Sequence, residues 1–129
     1  MSKAAVKSQK APQAVGPYSQ AIKAGGFIFL SGQIPIDPAT GTLIQGGVAA
    51  ETRQVLRNLE AVLKDAGASL NDVVKTTVYL KDISKFSEMN NVYAEFFREP
   101  YPARATVEVR DLPKGAQVEI DAVAVAEGV

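Results

Sequence analysis

The residue best equipped for chemistry is Arg104. It follows Pro100-Tyr101-Pro102-Ala103 and opens the alternating run Arg104-Ala105-Thr106-Val107-Glu108-Val109. A guanidinium is a planar fork of donors matched to a carboxylate, and the two prolines stiffen the backbone that leads into it. We read Arg104 as the holder of a small substrate's carboxylate; the plainer alternative is an exposed or salt-bridged strand arginine. Glu119, in Val118-Glu119-Ile120, is the second candidate, and its plainer alternative is an ion pair with Arg110 or Lys114. Tyr18, in Gly16-Pro17-Tyr18-Ser19-Gln20, has a ring to stack on a small planar substrate and a hydroxyl to donate, or is an edge-strand packing residue. Gly32 would let a ligand approach the backbone, or mark a β-bulge. Ser31 has no neighbouring base to activate it and is not read as a nucleophile.

What the chain lacks narrows the chemistry further. Its 129 residues contain no cysteine and no histidine, which removes disulfides, thiol nucleophiles, the common zinc sites and histidine-based triads. No metal-binding loop is visible, so neither a metal nor a cofactor is expected. Lys+Arg and Asp+Glu number 14 each, and a chain of zero net charge is poor footing for nucleic-acid binding. No apolar run is long enough for a membrane span, and Met1 to Gln13 has no signal-peptide core. The expected location is the cytoplasm, although the lack of cysteine is equally compatible with secretion.

The elements that must carry these residues follow from spacing. Residues 1–13 read as a mobile start with at most a short edge strand. Gly25-Gly26 between two apolar runs reads as a hairpin turn, which sets Gln20 opposite Ser31 and Tyr18 opposite Gln33. Phe27 to Leu30 is apolar at every position, as in a strand covered on both faces. Asp37 to Gly41 is a tight turn, and Gly41 to Ile44 a short strand. Val55, Leu59, Val62, Leu63 and Ala66 form the stripe of a helix over Val48–Ala66, stopped by Gly67, with Glu51 placed to favour its dipole. Asp72–Lys81 is a strand. Phe86, Met89, Tyr93, Phe96 and Phe97 give the core stripe of a second helix, roughly Ser84 to Arg98, ended by Pro100. The Arg104 strand, a turn over 111–116 and a last strand over Gln117–Ala126 complete a single α+β domain spanning 1–129. In a plain hairpin of those two strands, Arg104 and Glu119 project from one face but lie several residues apart; they need not touch in one chain, and loops or a subunit boundary could bring them together. The same register sets Glu108 against Glu119, an unfavourable like-charge pair or a sign of another register. Two helices cover one face of such a sheet, and the apolar strands leave the other face in need of a partner.

Several segments taken together are specific. Gly16-Pro17-Tyr18-Ser19-Gln20-Ala21, Ser31-Gly32-Gln33-Ile34-Pro35, Asn58-Leu59, Val74-Lys75-Thr76-Thr77-Val78, Pro102-Ala103-Arg104 with Val107-Glu108-Val109, and Leu112-Pro113 before Val118-Glu119-Ile120 occur in this order. They resemble the Rid family, the YjgF-type reactive intermediate deaminases, and within it the RidA subgroup, over nearly the whole chain. The resemblance implies a chorismate-mutase-like α+β fold with about six strands in a mixed sheet and two helices on one face. It also implies a homotrimer with a central β-barrel and a cleft at each subunit interface. The implied reaction is cofactor-free hydrolysis of 2-imino acids and their enamine tautomers, such as 2-aminoacrylate and 2-iminobutanoate, to 2-keto acids and ammonia. By motif, Arg104 would clamp the carboxylate, Glu119 would position the attacking water, and Tyr18, Ser31 and the Gly32 backbone would line the pocket. Thr106, also placed at the substrate, stands where many members carry cysteine. Imines of this kind hydrolyse unaided, so little barrier reduction is asked of the protein. Other readings of the resemblance are a small-ligand sensor, a chaperone-like holder, and a ribonuclease or translation inhibitor; neutral charge and the missing histidines disfavour the nuclease.

Overall fold

A computed structural model describes residues 2–126; Met1 and residues 127–129, which the single-domain reading includes, lie outside it. The strands are β1 (Ala4–Val6), β2 (Ala21–Ala24), β3 (Phe27–Gln33), β4 (Ile36–Asp37), β5 (Thr42–Leu43), β6 (Val73–Leu80), β7 (Ala103–Glu108) and β8 (Val118–Val125). The helices are α1 (Gly47–Asp65), between β5 and β6, and α2 (Phe86–Phe96), between β6 and β7. The main sheet runs β1-β2-β3-β8-β6-β7, and β4 and β5 form a separate two-stranded ribbon. All neighbours in the main sheet are antiparallel except β6 and β7, which are parallel. This is the mixed six-stranded α+β sheet expected from the sequence.

Both helices pack on one face, with α1 against β3 and β8 and α2 against α1. The α1 stripe of Val55, Leu59, Val62 and Leu63 is fully buried, and so is Met89 of α2. These side chains meet Ile28, Val78, Leu80, Ile120 and Ala124 from the sheet, where removal of apolar surface from water supplies the main driving force. Gly67, with φ +82°, ends α1 as expected. Helix α2 stops at Phe96, short of Pro100, because Phe97 turns extended and is itself buried.

The opposite face is left bare. Strand β3 is covered on one side only: Ile28 and Leu30 are buried, whereas Phe27 and Phe29 are 42% and 47% exposed. Val107 and Val125 add to the exposed apolar surface.

The expected hairpin between the Arg104 strand and the last strand does not form. Strand β6 lies between them, pairing with β7 on one side and β8 on the other. Two antiparallel neighbours can be joined by a short turn, but β6, α2 and β7 form a strand–helix–strand crossover, which makes β7 a parallel edge strand. Glu108 therefore stands beside Leu80, not Glu119, and its carboxylate accepts the Ile83 N–H at 2.8 Å. The like-charge pair was a product of the wrong register.

Residues 2–13 also depart from the expectation of a mobile start, since Val6, Ser8 and Ala11 are buried. Gln20, itself buried, accepts the Ser8 N–H and donates to the Ser8 and Pro12 carbonyls at 3.0 and 2.7 Å. Gln20→Leu would strand these backbone groups, and a buried unpaired group costs about 1–3 kcal/mol. The expected result is a lower melting temperature with faster amide exchange at Ser8; unchanged exchange there would show that Gln20 does not hold the segment.

Candidate functional site

The alternation of β7 is as the sequence indicates, but its orientation is inverted relative to a usual half-buried strand. Arg104 pairs with Thr76, a fully buried residue whose hydroxyl meets the Tyr93 hydroxyl of α2 at 2.8 Å. Arg104 and Thr106 thus face the helices, while Ala103, Ala105 and Val107 face the bare side and are exposed. The Arg104 guanidinium carbon sits 4.7 Å from the Tyr93 ring centroid and 5.4 Å from that of Phe86. A stack over aromatic faces favours the cation and fixes its plane. Its Nη1 donates to Asn90 Oδ1 at 2.8 Å. The ion pairs among the described residues are Arg53–Glu95, Lys81–Asp111 and Lys85–Glu88, so neither plainer reading fits: the arginine is half-buried and has no carboxylate partner. It borders an open cavity of about 450 Å³, shared with Asn90, Tyr93, Tyr101 and Pro102.

Asn90 was not legible in the sequence. It lies one residue after Met89 of the core stripe, on a helix whose contact with Arg104 depends on the crossover. The helical spacing of Tyr93 and Phe86 marks them as core residues; both also contact the guanidinium. Burial raises the Tyr93 phenol pKa, so its hydroxyl stays protonated beside Arg104.

Glu119 belongs to the other face. It pairs with Tyr79, one step out of phase with the buried Val78–Ile120 pair, so Arg104 and Glu119 project from opposite faces rather than from one. This corrects the hairpin reading. Glu119 lines a second cavity, also of about 450 Å³, together with Tyr18, Gly32, Gln33 and Lys114. Strand β3 bulges here: Leu30 pairs with Ala122 and Gln33 with Ile120, leaving Ser31 and Gly32 against the single residue Asp121. Gly32 packs directly on the Glu119 carboxylate. A Cβ built on it would lie 3.0 Å from the Glu119 Cδ and collide with Oε2. Glycine is needed for this approach, and the bulge is what aims the backbone at the carboxylate.

The remaining candidates separate by role. Tyr18 precedes β2 rather than pairing with Gln33, and it is 53% exposed at the mouth of the Glu119 cavity. The Ser31 hydroxyl donates to the Ser19 carbonyl at 2.6 Å, holding the segment that carries Tyr18, and Ser31 borders neither cavity. The Thr106 hydroxyl is buried without a hydrogen-bond partner among the described residues. Asn58 donates to the Ile34 and Ile36 carbonyls at 3.3 and 2.9 Å, pinning another wall of the Glu119 cavity to α1. Glu51 does not serve the helix dipole: its carboxylate accepts the Gln117 N–H at 2.8 Å, just before β8.

Partial burial raises the Glu119 pKa first, and the nearby Asp121 carboxylate raises it further. Tyr79, opposite Glu119, donates to Asp121 at 2.9 Å, and this bond keeps its own phenol protonated. Because folding raises the Glu119 pKa, the carboxyl favours the fold when protonated, and that contribution is lost as pH rises through the raised value. Glu119→Gln should therefore melt above the parent protein at pH 7, because it removes a charge that partial burial and then Asp121 disfavour, by at most about 1 kcal/mol at this half-exposed position. The gap should close near pH 4. An equal gap at both pH values would show that charge is not its origin.

No cluster of histidine, cysteine or carboxylate groups able to hold a metal ion occurs among the described residues, and no helix there is long and apolar enough to cross a membrane.

The sequence model of the Endoribonuclease L-PSP family (Ribonuc_L-PSP) matches residues 8–126. Similar proteins include a RutC family protein of Pyrococcus abyssi, 54% identical over 98% of this chain and 100% of its own length. The human 2-iminobutanoate/2-iminopropanoate deaminase is 48% identical over 93% of this chain and 88% of that protein. Among solved structures, YyfA of Yersinia pestis, a conserved Rid family protein, superimposes with a TM-score of 0.94 at 47% identity, covering 97% of this chain and all of that one. Agreement of sequence and backbone over nearly the full length of both partners makes this chain a member of the YjgF/Rid family.

Proposed function

We propose that this protein hydrolyses 2-imino acids and their enamine tautomers, with 2-iminobutanoate and 2-aminoacrylate as representative substrates, to 2-keto acids and ammonia. The observation that carries the reading is the Arg104 guanidinium, held by Asn90 and Tyr93 beside an open cavity and without an ion-pair partner among the described residues. The name borne by the human and bovine relatives, 48% and 50% identical, points to the same reaction.

Arg104 and Glu119 lie on opposite faces and line separate cavities, and we read each cavity as half a site. We assign the complete site to the junction of two subunits of a homotrimer. One subunit brings Arg104 to the substrate carboxylate, with Thr106 beside it on the same strand face. Its neighbour brings Tyr18, the Gly32 backbone and Glu119. The exposed Phe27, Phe29, Val107 and Val125 supply apolar surface suited to burial at such a junction. Water held by Glu119 adds to the imine carbon, the nitrogen takes up protons, and ammonia leaves as the carbonyl forms. Partial burial and the Asp121 carboxylate raise the Glu119 pKa, which makes this carboxyl a better proton acceptor than an ordinary glutamate. The chemistry needs no cofactor.

Mixing two inactive variants tests this arrangement. Arg104→Ala and Glu119→Gln trimers, dissociated together and reassembled, should regain activity in about a quarter of their sites, because random mixing pairs an intact Arg104 with an intact Glu119 at that frequency. The readout is 2-keto acid release in a coupled dehydratase assay. No recovery, with mixed trimers verified by mass, would overturn the shared site; no keto acid release by the parent protein would overturn the activity.

A further inference from the structure

The Glu119 cavity has two charged lining residues, Glu119 and Lys114. Lys114 lies in the turn that leads into β8, where the Gly115 N–H bonds the Leu112 carbonyl at 3.1 Å and the Ala116 N–H the Pro113 carbonyl at 3.2 Å. Its φ of +60° makes it the one non-glycine residue with positive φ among the described residues. A left-handed position followed by glycine suits asparagine or glycine, which adopt that conformation with less strain. Lysine there is a local cost, and strained backbone of this kind concentrates at functional sites. The ammonium has no carboxylate within ion-pair distance among the described residues, although Glu119 lines the same cavity. From these observations together we infer that Lys114 is a substrate-capture residue: its ammonium offsets the Glu119 charge and draws anionic 2-imino acids into the cavity in preference to uncharged analogues.

This rests on the deaminase reading above and adds a source of selectivity to it. A carboxylate lining a pocket repels an incoming anion, and Arg104 belongs to the other half of the site. A cation at the mouth cancels that repulsion at long range and makes no bond that strengthens in the transition state. Such uniform attraction changes KM and leaves kcat alone. A unit charge about 7 Å from the anion in a largely aqueous mouth is worth roughly a threefold change in KM at low salt, and screening removes it at high salt.

The test compares Lys114→Asn, Lys114→Gly and Lys114→Arg with the parent protein in steady-state hydrolysis of 2-iminobutanoate at low and high salt. Titrations with 2-oxobutanoate and with its uncharged amide, followed by NMR, accompany the kinetics. The asparagine and glycine variants should show about a threefold higher KM at low salt with kcat unchanged, and parent-like KM at about 0.5 M salt. They should bind 2-oxobutanoate more weakly and the amide equally well, and melt no lower than the parent because the strain is relieved. Lys114→Arg should keep the parent KM. A KM unaltered in Lys114→Asn, or raised equally at high salt and accompanied by weaker amide binding, overturns the proposal while leaving the deaminase reading in place. A parent protein that binds 2-oxobutanoate without turning over imines overturns the deaminase reading, and the titrations then decide the role of Lys114. A parent that does neither overturns both.

Discussion

Arg104→Ala should reduce imine hydrolysis by at least about a hundredfold while the protein stays folded. The size follows from what the guanidinium supplies. A carboxylate clamp fixes where the imine carbon lies relative to the water, and a misplacement of about 1 Å at a reacting centre is enough for a loss of that order. Folding should survive because Arg104 is half-buried on an edge strand. Its loss removes one hydrogen bond to Asn90 and the stacking on Tyr93 and Phe86, together about 1–2 kcal/mol. Arg104→Lys keeps the charge but loses the planar fork and should recover only part of the rate, since lysine is a point charge. Keto acid release, far-UV circular dichroism and native mass, measured together, decide the matter. Full activity in the alanine variant would remove Arg104 from the site, whereas an unfolded variant would transfer the question to Arg104→Lys.

Gly32→Ala should be nearly as damaging to activity and nearly silent in stability. The new Cβ would collide with the Glu119 carboxylate. That carboxylate terminates a flexible side chain which can swing away, so the strain is relieved by displacing Glu119 rather than by moving backbone. Activity should fall by about ten- to a hundredfold, with a stability change within about 1 kcal/mol. The double variant Gly32→Ala/Glu119→Gln gives the sharper result. If glycine acts by seating Glu119, the double variant is no less active than Glu119→Gln alone, because the two changes remove one function. Losses that multiply would mean that Gly32 serves the reaction through its own backbone instead.

These two experiments address residues that the sequence marked from their types and local patterns. Arg104 behind a proline-rich turn and a glycine next to Gln33 in an apolar strand were legible because backbone stiffness and the missing Cβ are properties of the residue itself. The helices were legible for the same reason: the stripes of α1 and α2 repeat at helical spacing, and periodicity is local. The Gly25-Gly26 hairpin was equally visible, and its register holds in the ladder from Ala21–Leu30 to Ala24–Phe27. Burial of Ser8 and Ala11 was not, because it depends on a side chain of Gln20 that lies 12 residues from Ser8.

The amino-acid sequence alone determined the elements, the α+β class and the set of polar residues worth testing, since each depends on neighbours within one helical turn or one hairpin. Tertiary structure decided which of those residues meet. Insertion of β6 between β7 and β8 put Arg104 and Glu119 on opposite faces of the sheet, although both strands alternate as their sequences indicate. Strand order is set by pairing between segments distant along the chain, and a period of two records which residues share a face but not which face meets the helices. Asn90, Tyr93 and Lys114 acquire their surroundings in the same way: from a crossover and a turn that bring together groups with no pattern in common.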